Sequence, residues 1–561
     1  MAQSDKLASH DIFGTPENEN FLSTKPYADL DPNQREIRLL KILPGKGNSL
    51  VRCTLLPQTR LVDVRGRYAA LSYSAGDSKR TGTIMVNGAR CNVFANLMHA
   101  MMEARQFWRQ TRRHRSFLLW VDQICINQKD IKERSHQVGF MRDIYEQAKQ
   151  VLVCLSTSEG PSTGMDSLAL LARKVPARKT DADAGLRTKG WSPKARDYHR
   201  NRLSQYIQKH MYDRGFSDGW TAFCDVIESP WWERAWVFQE FVVAPKVNIL
   251  YRRRFICWEK LWPILRSSLH FQRGLLLGSH DMAKYLPETC INSEAFLSEH
   301  VSHVSARLGS GRVRSTLELV NFMGQARLSK DHRLDLKDLL MNSRYCHTSD
   351  PRDKVYAFIG LSDPAYDIRP NYSHSITEVL IETTQKIISF ENSLEVLAHA
   401  AASSMFECSA LPSWVVDWTP EERRQRWQRH DQAFQEYPRG ENLSENYSQM
   451  SSSPSFRTIS RDGHARLCLD VKGTFIDSIK KGESLLLFQT TNQYVVECSD
   501  EAQPHDEIWL LDGARFLVVL RPEEEGHRLI STASWLNRWP LETIVKVAQS
   551  RQGVLQRVSI I

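Results

Sequence analysis

No apolar run in this sequence approaches the roughly 18 residues needed to cross a bilayer, so no membrane span is expected. The opening MAQSDKLASHDIFGTPENEN lacks the basic-then-apolar signature of a secretory signal. Together these absences favour a protein kept in the cytosol. None of the 11 cysteines forms a CxxC pair. Their odd count and irregular spacing exclude a disulfide framework and a structural zinc site, and no metal is expected. Reduced, mostly buried thiols remain as the reading. Also missing are a Gly-rich phosphate loop, a dinucleotide fingerprint, HExxH and GxSxG, which removes the familiar nucleotide-dependent, metallohydrolase and serine-hydrolase classes. Cys125 with a histidine could form a nucleophile pair, but its apolar flank in ICINQ favours a buried structural thiol.

What is present is the balance of a globular chain: 41% hydrophobic and 25% charged residues over 561 positions. That length is too great for one ordinary core, and two or three packed units are expected. The net charge of +9 and a sequence pI near 8.9 come from patches. These are Arg109, Arg112, Arg113 and Arg115; a stretch from Arg173 to Arg202; and Arg252, Arg253 and Arg254. A solvated basic face is the simplest account. No zinc-finger spacing or RNA-recognition signature supports a specific nucleic-acid partner.

Residues 1–35 are polar and read as a loosely ordered lead-in. A unit over 36–270 follows, and from Tyr68 onward within it short apolar runs alternate with amphipathic stretches. AALSYS, FLLWV and QVLVCLS read as strands, and TIMVNGARCNV as a hairpin turning at Asn87-Gly88. KDIKERSHQVGFMRDIYEQAK places Val138, Met141, Tyr145 and Ala148 on one helical face. Such alternation implies a mainly parallel, helix-covered sheet. Residues 174–202 are basic and aperiodic and read as a mobile insertion. Ser229-Pro230 predicts the start of a helix carrying WWERAWVFQEFVVA. The region 271–420 reads as largely helical, with Asp350-Pro351-Arg352-Asp353 as a second helix start and Gly360 as its end. A polar linker over 421–460 precedes a small β-rich unit over 461–561.

Three ordered blocks carry a resemblance. The first is YAALSYSAGD, then NLMHAMMEAR, then LLWVDQICINQKDIKERSHQVGFMRDIYEQAKQVLVCLS. The second is SPWWERAWVFQEFVVAPKVNILY; the third is DPRDKVYAFIGL, followed by RPNYS and LPSWVVDWT. In this order they resemble the fungal heterokaryon-incompatibility (HET) domain. The family's tryptophan after SY-x is replaced here by Ala75, which removes an aromatic wall.

The resemblance implies a protein of fungal self/non-self recognition that triggers programmed cell death. It would act on meeting an incompatibility partner or by self-association. It also implies a distant kinship with TIR domains, hence a TIR/flavodoxin-like parallel sheet. Some TIR domains hydrolyse NAD with one glutamate that follows a tryptophan on a helix. By that analogy Glu240 is the catalytic residue and Trp236, one turn earlier, lines the same pocket. NAD would be a substrate and not a resident cofactor. Ligands of such sheets bind at the carboxyl ends of strands, which marks Ser72, Tyr73, Gly76 and Asp77 beside Asp122. A non-catalytic interaction module is the alternative.

The residues themselves admit plainer roles. Glu240 could pair with an arginine such as Arg234, and Trp231, Trp232 and Trp236 could belong to the core. Asp122 could cap the turn after its strand. Glu133 with Arg134 reads as a solvated helix pair, and Asp350 and Asp353 as helix caps. Asn127 and Gln128 suit either turn contacts or a polar pocket wall.

Overall fold

Four of the apolar runs lie side by side as parallel strands in the computed structural model. We label the strands of the central sheet in chain order: β1 Leu40–Ile42, β2 Arg52–Leu55, β3 Ala69–Tyr73, β4 Thr81–Val86, β5 Ala89–Phe94, β6 Phe117–Trp120, β7 Gln150–Cys154, β8 Val247–Tyr251 and β9 Arg254–Cys257. Their spatial order is β9-β8-β7-β3-β6-β1-β2-β4-β5. The structure describes residues 16–31, 33–77, 79–111, 117–160, 162–174, 219, 223–265, 311–328, 333–344, 346–404, 411–419, 453–461, 464–483, 486–535 and 555–561. Most of the 174–202 insertion, most of the 421–460 linker and Arg112, Arg113 and Arg115 fall outside them.

Every residue of β3 and β8 is buried, as expected for interior strands covered on both faces. Parallel pairing sets Ala69 opposite Gln150 and Tyr73 opposite Cys154, Ala70 opposite Trp120 and Val247 opposite Val151. The sheet is mixed, though, and not mainly parallel. β1 runs antiparallel to both β6 and β2, and the hairpins β4–β5 and β8–β9 close the two ends. Short hairpin connections force antiparallel neighbours, and β1 comes from before the alternating region.

The Asn87-Gly88 turn forms as expected, with φ of 53° and 84°. Arg252 and Arg253 make the β8–β9 turn with positive φ, unusual for residues bearing a Cβ. The helix Ala95–Thr111 lays Leu97, Ala100, Met101, Ala104 and Phe107 into the core, the spacing of one helical face.

Three expectations need correction. The long run after FLLWV is two helices, Ile131–Gly139 and Met141–Gln147, separated where Phe140 leaves helical geometry after Gly139. Val138 is consequently only half-buried, and Gln137 is the buried residue, donating from Nε2 to Glu36 O at 2.8 Å. The lead-in is not loose from residue 16 onward. Phe21 is fully buried. Asn18 binds both backbone groups of Asn92, donating from Nδ2 (2.9 Å) and accepting at Oδ1 (2.6 Å). An amide side chain thus substitutes for a strand at the β5 edge. The tryptophan-rich run is also broken: a 3-10 turn Pro230–Glu233, an extended Arg234, then the short helix Val237–Val242. Ser229 caps as expected, accepting from Trp231 N. Arg234 is extended because it bridges to His347.

The region 311–404 is helical where described, with helices Gly311–Leu328, Leu336–Ser343, Asp353–Ile359, Ile376–Glu391 and Leu397–Ser404. Beyond it the strands β10 Ser455–Arg461, β11 His464–Gly482, β12 Leu487–Thr490, β13 Val495–Glu497, β14 Glu507–Leu511, β15 Leu517–Glu523, β16 Gly526–Trp535 and β17 Gln556–Ile560 form a second sheet. The β11-β12-β13-β16-β15-β14 path closes because β14 pairs back onto β11. Closure removes the edges of that path, with β10 paired on β11 outside it. Ser413 N–H to Ile561 O (3.0 Å) and Trp414 Nε1–H to Leu467 O (3.2 Å) join it to the segment LPSWVVDWT.

Candidate functional site

The carboxyl ends of β3 and β6 converge on the helix Val237–Val242. Ser72 is the penultimate residue of the buried strand β3. Its hydroxyl accepts the Trp231 indole N–H at 2.7 Å and donates to the Glu240 carboxylate. Trp231 is itself fully buried and packs edge-on against Trp232 and Phe241, so the indole that holds Ser72 cannot swing away. Beside this chain Tyr73 donates its hydroxyl to Asp122 Oδ1 at 3.2 Å, and Arg234 reaches the Tyr73 carbonyl from the extended break in its segment.

Glu240 is 2% exposed. Burial pushes its carboxyl up to about 7, against the pull of the nearby Arg234 guanidinium and the Ser72 hydrogen bond, while Asp122 pushes it further up. Burial raises Asp122 as well, again opposed by Arg234. Two carboxyls and one guanidinium therefore lie close enough that ionisation of either acid disfavours that of the other. A carboxyl balanced near neutrality can hold or release a proton, or face a developing positive charge at little cost in reorganisation.

The other expected residues divide. Gly76 has φ of +76°, and a Cβ there would lie 2.3 Å from Asn96 Nδ2. That amide donates to Ser74 O at 3.0 Å, fastening the turn after β3 to the start of the next helix. Gly76 is thus required by the backbone. Asp77 is exposed, and its described bond is local, from Lys79 N–H at 3.0 Å. Asp122 also accepts Gln123 N–H at 2.7 Å, so it caps its turn while facing Tyr73. Gln128 donates to Asp122 O at 2.9 Å, a turn contact. Trp236 is half-buried, but its indole N–H goes to Asp353 Oδ2 at 3.0 Å and not toward Ser72. Cys125 is buried, with its thiol pushed up to about 12, an inert structural group.

Glu133 is not a solvated partner of Arg134. It receives the fully buried Arg38 at 2.7 and 3.0 Å and the Asn127 N–H at 2.7 Å, while Arg134 lies over the Tyr372 ring at 4.2 Å. Nor is Asp350 a simple cap. It accepts Arg352 N–H (3.1 Å) and both arms of the same arginine (2.8 and 2.7 Å), one turn ahead of the helix that starts at Asp353. Arg234 as a neighbour of two acids, and Trp231 as a hydrogen-bond donor, were not singled out as site residues from sequence. The one available signal was an arginine between two tryptophan blocks.

The comparisons with known proteins agree on class. Residues 68–240 match the family model described as heterokaryon incompatibility protein (HET), and the chain carries a HET domain over that span. It is also 27% identical over 457 residues to heterokaryon incompatibility protein 6, OR allele, of Neurospora crassa. That match takes in 74% of this chain and 61% of the relative, so the chain spans about three-fifths of the relative's length. No solved structure matches. Among the described residues no helix is long and apolar enough to cross a membrane.

Proposed function

We propose that this HET-domain protein acts in fungal self/non-self recognition, triggering programmed cell death on meeting an incompatibility partner or on self-association. Its working group is Glu240, and its chemistry is TIR-like hydrolysis of NAD. The single observation that carries this reading is a buried carboxyl, balanced near 7, bonded to Ser72 at the carboxyl ends of parallel strands. In the reaction the bond from ribose C1′ to the nicotinamide nitrogen breaks. Its electron pair neutralises the ring cation, so no acid is needed for the leaving group. Water then bonds to C1′ and yields its proton to a base. The ionised Glu240 would face the positive charge that builds on the ribose.

The test is NAD consumption by the purified protein, alongside toxicity on over-expression in a fungal host. Glu240→Gln keeps the shape and removes the charge, so cleavage should fall by about two orders of magnitude or more. Ala75→Trp restores the missing aromatic wall and should raise cleavage, with the gain lost again in the Glu240→Gln background. The inward bonding and 2% exposure of Glu240 favour a second reading, an interaction module that recruits another executioner. Toxicity undiminished in a folded Glu240→Gln protein, with no NAD loss, would establish that reading and refute hydrolysis.

A further inference from the structure

The HET family match ends at residue 240, yet the helix that carries Glu240 is held from outside that span. Along one side of it runs the segment 350–372. Trp236, the residue from which this helix starts, donates its indole N–H to Asp353 Oδ2 at 3.0 Å. Tyr372 donates its hydroxyl to the other oxygen, Asp353 Oδ1, at 2.7 Å. One helical turn on, Gln239 donates to Ala357 O at 2.9 Å. Phe238 packs on Phe358 with ring centres 4.9 Å apart. Gly360 allows this approach: a Cβ there would lie 2.7 Å from Gln239 Oε1. The same segment also grips the neighbouring helices, through Arg142 to Gly360 O at 2.6 Å and Arg134 over the Tyr372 ring.

We propose that Asp353 is a positioning residue for Glu240: with Tyr372 it fixes the Trp236 indole, and so sets the direction from which the Glu240 carboxylate meets Ser72 and Arg234. Fixing Trp236 also fixes Glu240, because the Glu240 N–H bonds back to the Trp236 carbonyl at 3.3 Å. With only six residues, Val237–Val242, the helix has little internal rigidity and takes its orientation from its neighbours. The inference takes Glu240 as the working carboxylate of the proposed function, but it can be tested without any turnover.

The experiment reads the titration of Glu240 in the full-length protein. The stability difference between the parent and Glu240→Gln, followed across pH, reports that group together with its coupling to Asp122. The groups facing Glu240 are Arg234, Asp122, Ser72, Tyr73 and Tyr145. Those facing Asp353 are Trp236, Tyr372, Asp350 and Arg134. Trp236→Phe removes the indole N–H and part of the ring while keeping an aromatic side chain, and Asp353→Ala removes the acceptor. Each should move the midpoint of the Glu240-dependent step by about one pH unit, since the carboxyl would sit differently among its neighbours. Asp353→Asn keeps an acceptor oxygen and should leave the midpoint near that of the parent. Adding Trp236→Phe to Asp353→Ala should bring no further shift, because both break the same bond. A merely structural role would lower stability equally at every pH and leave the midpoint in place. An unmoved midpoint in folded Trp236→Phe, or no Glu240-dependent step in the parent, overturns the proposal. Loss of NAD cleavage in Glu240→Gln is a separate result that bears on hydrolysis alone.

Discussion

Replacing Glu240 by Gln should make the protein more stable at neutral and alkaline pH, an unusual outcome for a substitution at a buried site. The carboxyl is raised from its ordinary 4.5 to about 7 by burial. A carboxyl raised in the folded state binds its proton more tightly there than in the unfolded chain. Its favourable contribution is fully present below pH 4.5 and is lost as pH rises through about 7. At about 1.4 kcal/mol per pH unit the interval is worth about 3 kcal/mol. Gln carries no charge to desolvate and can still accept the Ser72 hydroxyl at its carbonyl oxygen. Relative to the parent, the variant should therefore gain up to about 3 kcal/mol between pH 4.5 and 8, with most of the gain before pH 7. Denaturant midpoints of both proteins, measured in parallel over that range, give the difference directly, and effects of groups not coupled to Glu240 cancel. A difference that is flat with pH would refute the reasoning. It would mean that Arg234 fully compensates the burial of Glu240 and that no carboxyl at this site is balanced near neutrality.

Two further outcomes follow from the packing around the site. Asp350→Ala should cost about 3 kcal/mol, more than a lost helix cap, because it takes the carboxylate from the buried Arg352 guanidinium and leaves it the Tyr372 and His374 carbonyls; a loss of unfolding free energy under about 1 kcal/mol would contradict this. Gly360→Ala should displace the Gln239 amide from Ala357 O and cost about 1 kcal/mol, seen as a lowered thermal midpoint.

Much of the local structure was legible in order along the chain. AALSYS, FLLWV and QVLVCLS needed only their apolar content and β-branched or aromatic residues to be read as neighbouring interior strands. Asn87-Gly88 needed only its tolerance of positive φ. The pairing of Ser72 with Glu240 was approached through a resemblance, since the two lie 168 residues apart and no periodicity joins them.

Sequence by itself thus determined what depends on near neighbours: buried strands, the hairpin turn, the Ser229 cap, the inert Cys125. Tertiary structure decided whatever required a choice among equivalent distant partners. WWERAWVFQEFVVA has helical composition throughout, yet Arg234 is drawn into an extended bridge by His347, more than 100 residues downstream. Glu133 had a suitable arginine adjacent in sequence and is instead bound by Arg38, which β-sheet packing buries beside it. Trp236 and Glu240 are four residues apart, but the first is claimed by Asp353 and the second by Ser72. The physical reason is the same in each case. A buried charge or N–H must find a partner or lose the energy of its desolvation, and which partner is within reach is fixed only when the elements have packed.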